Sequence, residues 1–153
     1  MARSSVVSTN ASRCVAAQYD FAVQGGAVGT VPLRVRLPKD AIVFNSVVHV
    51  IEAPASVGSA TIAISIEDGG DILAETAFDA PPFNGTLGLG LARYTPSTRV
   101  PDVGDVPVVI DDSAAAAFVV TTAERELTLT IGTAALTAGK LNIFLQYFLN
   151  TTA

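Results

Sequence analysis

Strict alternation of apolar and polar positions recurs along most of this chain. Val15, Ala17, Tyr19, Phe21 and Val23 share one parity, with Gln18 and Asp20 between them. Val31, Leu33, Val35 and Leu37 repeat the pattern against Thr30, Arg34 and Arg36, as do Ile62, Ile64 and Ile66 against Thr61, Ala63 and Ser65. Leu127, Leu129 and Ile131 alternate with Glu126, Thr128 and Thr130. A period of two sends one parity into a core and the other toward solvent, so these runs predict half-buried antiparallel strands. Two segments differ. Ile42 to Ile51 and Leu141 to Leu149 carry apolar residues on both parities. In the second, Leu141, Ile143, Leu145, Tyr147 and Leu149 form one face, while Phe144 and Phe148 sit on the other. A strand apolar on both sides is covered on both sides. One side meets a facing sheet, and the other calls for a loop or a neighbouring subunit.

Turn residues separate these runs at short intervals: Gly25-Gly26, Pro38-Lys39-Asp40, Asp68-Gly69-Gly70-Asp71 and Ala138-Gly139-Lys140. No stretch of helical period is long enough for a core helix. Ser113 to Ala117 offers at most one helical turn, capped by Asp111, Asp112 or Ser113. Proline and glycine crowd residues 79–105, yet Phe83, Leu87, Leu89, Leu91 and Tyr94 lie among them. This predicts an ordered excursion with room for a short edge strand. The sum is an all-β chain of roughly eight to ten strands, an antiparallel β-sandwich or jelly roll, with a small barrel as the remaining alternative. Residues 13–153 form one domain. Residues 1–12 lack the alternation and read as a flexible amino-terminal arm, whose Arg3, Val6 and Val7 suit contact with a partner's surface or else simply fray.

Composition narrows the function. Half of the residues are apolar and the mean hydropathy is +0.48, but no run approaches the ~18 apolar residues of a membrane helix. Nine Lys and Arg stand against fourteen Asp and Glu, which argues against nucleic acid as a partner, since phosphate recognition needs a basic stripe. Charged residues make up only 15% of the chain, below the usual ~25%. Such depletion suits a surface buried between subunits. With Cys14 as the single cysteine there is no internal disulfide, and the first ten residues lack a signal peptide's apolar stretch, so the chain is expected to mature in a reducing cytoplasm.

Catalytic chemistry finds no foothold. Nucleophilic catalysis needs a nucleophile, a base and an orienting group. The single histidine, His49, lies mid-strand on the parity of Val43, Val47 and Ile51 and reads as structural. Cys14 has only Arg13 as a basic neighbour and reads as a small hydrophobe. Glu67, Asp68 and Asp71 crowd a tight turn without the ligand spread of a calcium loop. Asp102, Asp105, Asp111 and Asp112 form an equally loose cluster. No tryptophan and only Tyr19, Tyr94 and Tyr147 are available to stack on sugars. The chain therefore reads as a structural protein without enzymatic activity, metal or cofactor.

The order of these textures resembles a known class. Ala17-Gln18-Tyr19-Asp20-Phe21-Ala22-Val23-Gln24-Gly25-Gly26-Ala27 leads to Val35-Arg36-Leu37-Pro38-Lys39-Asp40-Ala41-Ile42-Val43. Thr121 to Gly132 follows, then Leu136-Thr137-Ala138-Gly139-Lys140 and a final aromatic strand. Over roughly residues 13–150 the chain resembles small virion structural proteins of tailed bacteriophages, of the head decoration (cement) type. The resemblance implies a sandwich subunit, typically a homotrimer, bound to the major capsid protein on the outer surface of an assembled head. It carries no site motif. The partner-binding candidates, Arg3, Val6, Val7, Phe144 and Phe148, come from the apolar pattern alone. Rival readings are another virion module (head fibre, tail or baseplate component) and a carbohydrate-binding host-recognition module.

Overall fold

The alternating runs form two antiparallel sheets in the computed structural model, which describes residues 11–84, 88–90 and 118–149. In chain order the elements are β1 (Arg13–Asp20), α1 (Phe21–Gln24), β2 (Gly29–Leu37), β3 (Ala41–Ser56), β4 (Thr61–Ser65), β5 (Leu73–Ala77), β6 (Gly88–Gly90), β7 (Val119–Val120), β8 (Arg125–Gly132) and β9 (Leu136–Leu149). The first sheet runs β1-β9-β3, with β6 and β7 both paired to the far side of β3. The second runs β2-β8-β4-β5. Among the described strands only β4 and β5 are consecutive in sequence and bonded to each other. The other pairings are long-range, between strands whose connections cross from one sheet to the other.

The core lies between the sheets and is built from the parities the sequence marks. Leu141, Ile143 and Leu145 of β9 are fully buried, as are Leu127, Leu129 and Ile131 of β8 and Ile62 and Ile64 of β4. With Tyr19, Leu37, Val43 and Val48 they form one continuous cluster. Burying each such side chain contributes roughly 1.5–3 kcal/mol. Tyr19 satisfies its hydroxyl by donating to the Gly25 carbonyl at 2.9 Å. Burial, helped by the neighbouring Asp20 carboxylate, pushes its pKa up to about 12.

Three sequence expectations change. The run from Val15 to Val23 does not continue as strand: Asp20 accepts the Ala22 N–H and caps the helical turn α1, Gly25 closes it at φ +74°, and Val23 ends 80% exposed. The turn expected at Ala138-Gly139-Lys140 is instead a bend inside β9, where Gly139 at φ +139° lies so close to Pro54 of β3 that a Cβ would sit 3.1 Å from its Cα. The true reversal after β8 falls at Thr133, a left-handed residue at φ +66°. Third, β3 slips register between Val43 and Asn45, which pair with Tyr147 and Gln146, so Phe44 is an extra residue in the ladder. Val43 consequently points into the core while Val47, His49 and Ile51 occupy the other face, and His49 does not share the side of Val43.

The short strand expected within residues 79–105 is β6, paired to Ser46–Val48 of β3. The excursion's residues 91–105, the acidic residues Asp102, Asp105, Asp111 and Asp112, and the helical turn proposed at Ser113 lie outside the described residues. Chain return is fixed by Thr121, which is fully buried. Its hydroxyl accepts the Ala41 N–H at 2.9 Å and donates to the Pro38 carbonyl at 2.7 Å, and its main chain pairs with Asp40 and Ala41.

Candidate interaction face

The outward face of the first sheet is where aromatic and amide side chains gather. Register places it in rows across β1, β9 and β3. Phe148 pairs with Ile42, and its ring stacks on Phe44 with centroids 4.6 Å apart and planes 19° from parallel. In the next row Cys14, Gln146 and Asn45 align, with Asn45 Nδ2 donating to Gln146 Oε1 at 2.8 Å. Ala16, Phe144 and Val47 form the third row. Gln18, Asn142 and His49 form the fourth, with Gln18 Nε2 donating to Asn142 Oδ1 at 2.9 Å. An ion pair between Lys140 and Asp20 at 2.8 Å ends the series. That bond, with the Ala22 N–H, holds the Asp20 carboxyl below its ordinary value.

Chemically this face offers groups that association can use. Stacked rings supply apolar area, and cross-strand amide pairs leave further donor and acceptor positions for a partner. Of the sequence candidates, the structure places Phe144 and Phe148 together on this face, both half-buried, two rows apart. Arg3, Val6 and Val7 lie outside the described residues. Phe44, Asn45, Gln18, Asn142 and Gln146 were missed. One signal for part of them was present: along the outward parity of β9, Asn142, Phe144, Gln146 and Phe148 alternate amide and ring.

The other candidate sites resolve into structural roles. Asp71, only 2% exposed, accepts the N–H groups of Ile66, Glu67 and Asp68 at 2.8–2.9 Å and so holds the β4–β5 turn. Glu67 pairs with Arg125 at 2.8 Å and accepts from the Thr122 N–H and hydroxyl. The hydrogen bonds from Arg125 and Thr122 bring its pKa down to about 2. Both carboxylates are thus used within the fold, and among the described residues no three His, Cys, Asp or Glu side chains group to hold a metal. His49 is exposed. Cys14 is exposed on edge strand β1 rather than packed as a small hydrophobe. Tyr19 and Tyr147 both turn into the core, which leaves neither as a stacking platform.

No protein-family model and no curated protein matches the chain. Solved structures do. The fold is similar to a chain in the acidic stable capsid structure of Helicobacter pylori bacteriophage KHP30, with a TM-score of 0.56 and 16% identity, covering 92% of this chain and 89% of that one. It is also similar to a chain in the cyanophage Pam1 capsid asymmetric unit, with a TM-score of 0.55 and 12% identity, covering 90% of this chain and 84% of that one.

Proposed function

We propose that this chain is a non-enzymatic virion structural protein that decorates the phage head: a homotrimer bound to the outer surface of the assembled capsid lattice. The observation that carries this reading is the outward face of the first sheet, where Phe44, Phe144, Phe148, Ile42 and Val47 interleave with amide pairs and, among the described residues, the only ion pair lies at one end. The likeness in fold to chains of two phage capsids supports it. Phe144 and Phe148, with Arg3, Val6 and Val7 of the amino-terminal arm, supply contacts to neighbouring chains. The mechanism is linkage. A ligand that binds only the assembled shell lowers the free energy of that shell and not of its dissociated subunits.

The test adds purified protein to heads that lack it. Saturable binding and a higher head-disruption temperature are expected, together with a trimer by sedimentation at micromolar concentration. Heads that neither bind the protein nor gain stability would overturn the decoration role. A monomer both free and on the shell would overturn the trimer.

A further inference from the structure

β1 and β2, each at one edge of its sheet, lie beside each other and line one groove. The two edges are built differently. β2 is guarded: Pro32 has no N–H to offer, Arg34 is left-handed at φ +59°, and the ladder to β8 is irregular between Pro32 and Arg36. β1 is not. It keeps an unbroken register with β9 from Arg13 to Asp20 and contains no proline or glycine.

A side chain shows which of its main-chain groups face outward. The Gln24 carboxamide accepts the Asp20 N–H at 2.6 Å and donates to the Gln18 carbonyl at 3.4 Å. It bonds β1 as a peptide unit of an adjoining strand would. Because a strand residue points its N–H and C=O to the same side, and this side repeats every second residue, the groups of Ala16 and Cys14 face the same way. Among the described residues nothing hydrogen-bonds them. A groove of about 570 Å³ runs beside them between β1 and β2, lined by Ala16, Ala17, Val31, Leu33 and Val35 among others.

The geometry points to this edge as the acceptor for an added strand, supplied by residues 1–10 of a second copy of the chain. Those residues contain no proline or glycine, so every one after the first offers an amide N–H, and Val6, Val7 and Thr9 favour strand conformation. Ten residues extend over at most about 33–36 Å, enough to run the ~27 Å of an eight-residue strand. The chain enters β1 through Ala11 and Ser12 without a turn. We therefore place the acceptor edge on a neighbour and not on the chain's own β1. Main-chain bonds supply the attachment and the small groove residues set the shape. The placement shares with the proposed role the premise that copies of this chain meet, but it does not require attachment to a shell.

Disulfide trapping on the full-length protein tests it. One chain keeps Cys14 on the acceptor edge; a differently tagged chain carries Cys14→Ser and a single cysteine at position 4, 5, 6, 7 or 8. Mild oxidation of the mixture should join the two chains at alternate arm positions only, because side chains of an added strand alternate between faces. Ala16→Pro in the acceptor removes one outward N–H and should lower the trapped fraction about fivefold to tenfold, the equivalent of one main-chain hydrogen bond. If that variant melts early, the arm substitution Ser8→Pro serves the same purpose without touching the sandwich. Cross-links without a two-residue period, or none in a protein that sediments as an oligomer, would overturn the inference. So would a bridge formed within a single chain bearing both Cys14 and an arm cysteine. Trapping in a protein that fails to bind heads would leave the inference standing and remove only the decoration role.

Discussion

The two sheets have the same inner face and opposite outer ones. Inside, each is lined mostly by Leu, Ile and Val. Outside, the second sheet carries Thr30 against Thr130, Thr128 beside Ser65, Thr61 hydrogen-bonded to Glu75, and Arg36 paired with Glu124 and Glu126. These are short hydroxyls and charged groups that water satisfies. The first sheet puts phenyl rings and amides in the corresponding places. Inner alternation decides that the chain folds, and the outer composition of each sheet decides what that sheet meets afterwards.

The largest effects should ignore the difference between sheets. Leu129→Ala in β8 and Leu145→Ala in β9 each remove a fully buried side chain, and each should cost about 2–5 kcal/mol in denaturant unfolding. A much smaller loss for Leu145 would mean that the first sheet is held from outside and not by the shared core.

Association should separate the faces. Phe144→Glu is expected to weaken self-association or head binding by about 30-fold or more, the loss typical of a central aromatic anchor. Thr130→Glu on the second sheet should change neither. Sedimentation and a head-binding titration read both, and equal losses from the two variants would erase the distinction.

A smaller, graded effect comes from pH. Glu67 holds a pKa of about 2 against an ordinary 4.5, so the folded state favours its ionised form. Its contribution is present above the ordinary value and is lost as pH falls from about 4.5 toward 2. The Tm of the wild-type protein should therefore drop over that window, and Glu67→Gln should flatten the drop. Parallel curves would show that the Arg125 and Thr122 bonds do not matter to stability.

The smallest change expected is at Ser46, which is 1% exposed and whose hydroxyl has no hydrogen-bond partner among the described residues. Ser46→Ala should leave stability unchanged or raise it by up to about 1 kcal/mol, since an unsatisfied buried hydroxyl is lost and little packing goes with it. A clear loss on thermal unfolding would reveal a partner for that hydroxyl.

Much of the core could be read directly from sequence, because alternation is a local property. Leu127, Leu129 and Ile131 lie inside, as do Leu141, Ile143 and Leu145. Strand pairing was not legible. β9 lies between β1 and β3, eighty or more residues away in sequence, and no turn residue encodes that choice. Gly139 looked like a turn because glycine allows both a reversal and a close approach, and only Pro54 across the ladder decides which. Val23 extended an apparent strand because parity continues on paper after Asp20 has capped a helical turn. The candidate face was half legible. The second apolar side of β9 announced Phe144 and Phe148, whereas the partner ring Phe44 was hidden by the register slip that places it.

That slip has a bearing on how such a strand tolerates change in length. Insertions and deletions normally accumulate in loops, since one residue more or less in a ladder exchanges its two faces. Val43 and Asn45 already pair with the adjacent residues Tyr147 and Gln146. Removing Phe44 would therefore close a regular ladder, leave Val43 and Ser46 inside and keep Ile42 and Val47 outside. Removing Asn45 would do the same with Phe44 in its outward place, whereas removing Val43 would turn Phe44 into the core. β3 thus holds, near its start, a position where a chain can gain or lose one residue without rewriting the core. A ring at that position can be acquired or discarded in a single step, altering what the surface meets while the fold beneath it stays the same.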